Sequence, residues 1–172
     1  MSKLTRIALA TLFAVGFAPI IARAQQLQWT TIGSSGVLYY PTDPSKVSQW
    51  NGLVCPSYPN TGSFRWTYNL PVPPTLYTYT NTAMAVHFRD AGDSSDWIRV
   101  QLQEFDPTTG LTYTRMIFDS NSFTPSGWDQ EGWKLSTFDF NPYKIYYLDA
   151  EIHRSSLSPP TPLLYSIRLW RY

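Results

Sequence analysis

Asp149, Glu151 and His153 recur at every second position. In an extended chain that spacing puts all three on one face, with neighbours about 6.5–7 Å apart. Two carboxylates at that separation could act as acid and base in an inverting glycosidase. Carboxylates with an imidazole could instead bind a metal ion. The residues between them favour a plainer role. Tyr146, Leu148, Ala150 and Ile152 occupy the opposite face, so the polar three read as the wet side of a strand, satisfied by cross-strand pairs with Arg99 or Arg168.

A second group is Asp90, Asp93 and Asp96, three acids in seven residues with Gly92, Ser94 and Ser95 among them. Oxygen ligands in such a segment could wrap a calcium ion, although the spacing departs from the EF-hand loop. Asp, Gly and Ser are equally ordinary turn formers. A third group is aromatic: Trp50, Tyr58, Trp128 and Trp133 fall in or beside polar, loop-like segments. Large rings on loops stack against sugars or anchor a protein partner; otherwise they cover small apolar clusters beneath the loops. His87 and His153 are the only histidines, and His87 lies between Val86 and Phe88 in an apolar run, which suits a structural role. No nucleophile elbow, zinc-protease helix motif or phosphate loop occurs. The residues identify no cofactor.

The elements that must position these residues are strands. Alternation marks 26–32, 63–70, 97–105, 144–154 and 163–172. Shorter extended runs are expected at 37–40, 75–80, 82–88, 111–118 and 133–138. Asp106-Pro107-Thr108-Thr109-Gly110 joins two runs as a hairpin turn, with proline presetting one φ and glycine accepting a left-handed one. Residues 41–62 and 119–132 have no period and read as long loops. In the last run Leu163, Tyr165, Ile167 and Leu169 are expected to face inward, with Arg168, Trp170 and Tyr172 outward. No stretch sustains a 3.6-residue apolar period. About eight to ten strands separated by turns predict an all-β fold: an antiparallel β-sandwich of jelly-roll type, without substantial helix.

The start of the chain predicts export. Lys3 and Arg6 precede an apolar run from Ile7 to Ile21, and Ala22-Arg23-Ala24 follows as a small-residue cleavage pattern. Residues 1–24 are expected to be a cleavable secretory signal and 25–172 a single domain, secreted or periplasmic. The apolar run is shorter than the roughly 20 residues of a membrane span, and no second such run occurs, so integral membrane insertion is not expected. A small outer-membrane barrel is disfavoured by Arg168 beside Trp170 and by the prolines.

Three of the thirteen basic residues lie in the signal, leaving ten against twelve acids. A slightly acidic domain lacks the basic stripe that nucleic acid requires. Cys55 is the sole cysteine, so no internal disulfide forms and Cys55 is expected to be a small buried residue. All seven Trp and twelve Tyr lie after residue 24, a composition suited to pleated, half-buried surfaces. These readings converge on a secreted, non-catalytic binding module for carbohydrate or another surface polymer. The alternatives are a structural subunit that assembles through an edge strand or aromatic patch and, at greater distance, a glycoside hydrolase using Asp149 and Glu151.

Overall fold

The computed structural model describes residues 26–39, 43–71, 81–90, 95–123, 129–157 and 160–171. The signal segment, the extended run expected at 75–80, Asp93, Trp128 and Tyr172 lie outside them. The described residues form eleven strands: β1 (Gln26–Ile32), β2 (Val37–Leu38), β3 (Val47–Trp50), β4 (Leu53–Pro56), β5 (Gly62–Asn69), β6 (Asn81–Arg89), β7 (Trp97–Asp106), β8 (Leu111–Asp119), β9 (Asp129–Thr137), β10 (Ile145–Arg154) and β11 (Leu163–Arg171). Their only helical turns are short 3-10 segments at Gly33–Ser35, Pro44–Lys46 and Ser120–Ser122.

Every strand pairing is antiparallel, in two sheets. Sheet A has the order β3-β4-β11-β6-β9, and sheet B the order β2-β5-β10-β7-β8. In sheet A, β11 takes β6 along one side and shares the other between β4, at Leu164, and β1, from Ser166 to Arg171. The chain is an all-β antiparallel sandwich.

The period-two pattern explains the core. Phe64, Trp66 and Tyr68 on β5, Ile98, Val100 and Leu102 on β7, and Tyr146, Leu148, Ala150 and Ile152 on β10 are all buried. They meet Met84, Val86 and Phe88 on β6 and Leu164, Ile167 and Leu169 on β11. One face of each sheet is thus fully accounted for by packing, and the outward faces are left for function.

Three local expectations are corrected. The segment 41–62 is not a featureless loop, because β3 and β4 form a hairpin within it. Its turn is Asn51-Gly52, with φ of 48° and 83°, the pair of left-handed residues that two-residue hairpins favour. Cys55 falls on β4 and is buried. On β11 the register slips between Leu164 and Ser166. The extra residue reverses the phase, so Leu164 faces inward where Leu163 and Tyr165 were expected to, and Tyr165 turns outward to stack on His87. Similarly, β9 begins at Asp129, four residues before the strand expected from Trp133, which shortens the expected 119–132 loop.

The 3-10 turn after β1 is held to both sheets. The Tyr68 hydroxyl donates to the Gly33 carbonyl at 2.7 Å, in a buried position. A side chain at Gly33 would run into the Leu164 carbonyl of β11, so only glycine admits this close approach.

Candidate functional site

Two outward regions bring chemically active side chains together. The first is the outer face of sheet B. Register aligns Trp97, His153 and Ser63 in one row, Arg99, Glu151 and Arg65 in the next, and Gln101, Asp149 and Thr67 in a third. Asp149, Glu151 and His153 therefore do share a face. Asp149 is engaged by the Arg65 guanidinium. Arg99 bonds Asp119 on β8 through Nη2 at 2.7 Å. Glu151 sits between the two arginines by register and makes no ion pair within 4 Å among the described residues. His153 stacks on Trp97 with ring centres 5.3 Å apart, and its Nδ1 lies 3.0 Å from Ser63 Oγ. Of the two expected arginine partners, Arg99 is a register neighbour of Glu151, whereas Arg168 belongs to sheet A.

At the edge of this face lies a cleft of about 410 Å³ lined by Tyr39, Asp43, Lys46, Thr61, Ser63 and Arg65, with Gly62 and Phe64. Arg65 lies 5.2 Å over the Tyr39 ring. Neither Tyr39 nor Arg65 stands out in the sequence. Arg65 and Asp149 are 84 positions apart, and only the β5–β10 pairing joins them.

The second region is the outer face of sheet A. Trp133 on β9 stands opposite Ala85 on β6, which stands opposite Arg168 on β11. The Trp133 side chain is 59% exposed. Arg168 pairs with Glu131, two residues before Trp133 on the same face. Farther along, Arg89 donates to Asp129 Oδ1 from Nε at 2.9 Å and Nη2 at 2.7 Å, and the Tyr165 hydroxyl donates to the same oxygen at 2.6 Å. Partial burial and that carboxylate push the Tyr165 hydroxyl up to about 12, while Tyr165 and Arg89 hold Asp129 below the usual carboxylate range. The indole of Trp170 packs with Ala83 and Ala85 and is buried, so Trp170 is not the open outward ring that simple alternation implied.

The remaining expected residues lie apart. Tyr58 is exposed just beyond β4. Three strand spacings separate β4 from β9, about 14 Å, so Tyr58 and Trp133 do not form one platform. Trp50 ends β3, opposite Leu53. Asp90 and Asp96 are both buried; Asp96 accepts from the Ser155 N–H at 2.6 Å and the Ser155 hydroxyl at 2.5 Å, tying the start of β7 to the end of β10. Among the described residues no group of three His, Cys, Asp or Glu side chains is placed to hold a metal ion, and no helix is long and apolar enough to cross a membrane.

Fold and surface together define a class: a two-sheet antiparallel sandwich with a buried apolar interior and with clusters of polar and aromatic side chains on its outer faces. No protein-family model matches the sequence, and no curated protein matches it. Solved structures similar to it include carbohydrate-binding modules. A xylan-binding module, CBM15, has a TM-score of 0.48 at 10% identity, over 86% of this chain and 97% of that one. The CBM22-1–GH10 modules of a Clostridium thermocellum endo-1,4-beta-D-xylanase, complexed with xylohexaose, give 0.42 at 12% identity, over 84% of this chain. This chain spans only 24% of that xylanase chain. The module CBM36, in complex with calcium and xylotriose, gives 0.41 at 9% identity, over 82% of this chain and 98% of that one. The likeness is one of overall fold at low identity, and the architecture rests on the strand pairing itself.

Proposed function

We propose that this chain is a secreted or periplasmic, non-catalytic carbohydrate-binding module, and that Trp133 is the ring on which the sugar stacks. The observation that carries this reading is the setting of Trp133: an indole largely open to solvent on the outward face of an end strand, beside the Arg168–Glu131 pair. A pyranose presents a C–H face to an aromatic ring and hydroxyls at its rim. Trp133 supplies the first partner, and the ion-paired side chains supply planar donors and acceptors for the second. A protein partner fits less well, because it would have to strip water from Arg168, Glu131, Arg89 and Asp129 together, which is expensive for charges that are already paired. The hydrolase alternative has less support. Asp149 is held by Arg65 and sits on the same strand as Glu151, facing outward from the sheet rather than across a cleft from it.

Trp133→Ala is expected to reduce retention on insoluble polysaccharides at least tenfold, the loss of one stacking contact of about 1.5 kcal/mol. Its melting temperature should stay close to that of the parent, because an exposed ring contributes little to folding. Pull-down and a glycan array with both proteins measure this. Undiminished binding by Trp133→Ala would overturn the assignment. Export makes a separate expectation: the mature protein begins at Gln25, and N-terminal sequencing of exported material that returned Met1 would refute cleavage.

A further inference from the structure

We propose that the cleft beside the open end of β5 is a second carbohydrate site, that it takes an uncharged sugar, and that the domain thereby ties two polysaccharide chains together. The inference rests on the reading of the chain as a carbohydrate-binding module, but its residues lie on β5 of sheet B and on the segments beside it, away from Trp133.

The cleft arises from an unequal pairing. β2 accompanies β5 only at Val37 and Leu38; the Tyr39 N–H then donates to the Arg65 carbonyl at 2.8 Å, and the described chain next meets the cleft at Asp43 and Lys46. In a strand, residues two apart direct their backbone groups to the same side, so Ser63 aims its N–H and C=O toward the side that Arg65 shows Tyr39. The resulting space of about 410 Å³ lies within the range of small-ligand pockets.

Its lining repeats the ingredients found around Trp133. Tyr39 offers a ring that is half exposed, backed by the Arg65 guanidinium. Ser63 and Thr61 offer hydroxyls. The Ser63 hydroxyl also meets His153, which links the rim of the cleft to the Trp97 stack. The charges are balanced. Arg65 is paired with Asp149. Asp43 accepts from the Ser45 N–H at 2.9 Å and the Ser45 hydroxyl at 2.8 Å, and Lys46 is close enough to act on it electrostatically. With no surplus cation among the described lining residues to attract a carboxylate, the cleft favours a neutral sugar over a uronic acid. Trp133 stands on β9 at one end of sheet A, whereas the cleft lies beside β5 and the turn that enters β3 at the other end, so each site takes its own sugar.

The test combines calorimetry with turbidity. Neutral xylo- and manno-oligosaccharides and an acidic oligogalacturonate are titrated into the full chain, and soluble xylan and glucomannan are mixed with it. The parent should show two sites per domain for a neutral sugar and should render its polymer turbid. Tyr39→Ala should leave one site, the one Trp133→Ala removes, and abolish the turbidity. Tyr39→Leu, which keeps apolar bulk but not the ring, should do the same if Tyr39→Ala fails to fold. A parent with one site, lost in Trp133→Ala, would overturn the second site and leave the first reading standing. Two sites that survive both Tyr39 variants would overturn the cleft. Tighter binding of oligogalacturonate would overturn the ligand class. Binding of none of these sugars would remove both readings together.

Discussion

Trp66→Ala should cost about 3–5 kcal/mol, the range for emptying a large aromatic site in a packed core, and leave little folded protein at 37 °C. Trp66 has no exposed surface. It sits on β5 between Leu38 of β2 and Ala150 of β10. The small Ala150 gives the indole its room, and it is too short to fill the hole from the β10 side. A domain of this size has about 5–15 kcal/mol in total, and no disulfide among the described residues offsets the loss. Trp66→Phe should lose much less. It leaves a smaller void and removes an indole N–H that has no hydrogen-bond partner among the described residues, a defect with its own cost. Urea titration of the three proteins checks this. Equal losses for alanine and phenylalanine would show that packing around Trp66 is not what holds sheet B to sheet A.

The second large effect is electrostatic. At the end of the core where β7, β8 and β10 meet, Glu104 is buried and accepts from Arg115 Nε and Nη2, each at 2.9 Å, and from the Tyr146 hydroxyl at 3.0 Å. Nearby, Lys144 bonds Asp106 at 2.6 Å. The Arg115 guanidinium, aided by Tyr146, holds the Glu104 carboxyl below its usual range; the Lys144 bond and the Thr108 N–H bring Asp106 to about 2. Both folded values lie below the unfolded ones. Their stabilisation is therefore complete only above about pH 5.5, where the unfolded carboxyls too are almost fully ionised, and fades as pH falls through 4 toward 2. Arg115→Met strands a buried carboxylate with one hydroxyl partner and should cost about 2 kcal/mol at pH 7, less than a fully buried pair would because Arg115 is partly open to water. The cost should shrink by pH 2.5, since a protonated Glu104 no longer needs the cation. Thermal melts at both pH values decide it: an equal loss at each would mean that Arg115 acts through packing alone.

How much of this was legible in the residues depended on period and on separation. β5, β7 and β10 each have one apolar and one wet face, so strict alternation located them and their inward side chains from sequence. The hairpin β3–β4 has no alternation, and only Asn51-Gly52 announced it. β11 alternates, but one inserted residue at Tyr165 reverses its phase, and a bulge leaves no mark that period-two reasoning detects. The site shows the same division. The shared face of Asp149, Glu151 and His153 follows from local spacing. Their neighbours Arg65, Ser63 and Trp97 come from strands whose order in the sheet is a matter of long-range packing, and no local rule supplies it. Trp133 was selected for its ring; its exposure depended on β9 becoming an edge strand.

The hairpin that carries Cys55 lies at the edge of sheet A, joined to β11 in register at Val54 and Leu164 and to the 3-10 turn after β1 by the Ser34 N–H, which donates to the Gly52 carbonyl at 3.2 Å. Its thiol is buried, and burial pushes it up from its ordinary value, so it is inert in the closed molecule. An edge hairpin can part without the central strands between which the core is built. Each opening uncovers the chain's only sulfhydryl. Cys55 therefore works as a clock built into the edge of the sandwich: the rate at which an alkylating reagent captures it counts the partings of one hairpin, separately from the unfolding of the whole.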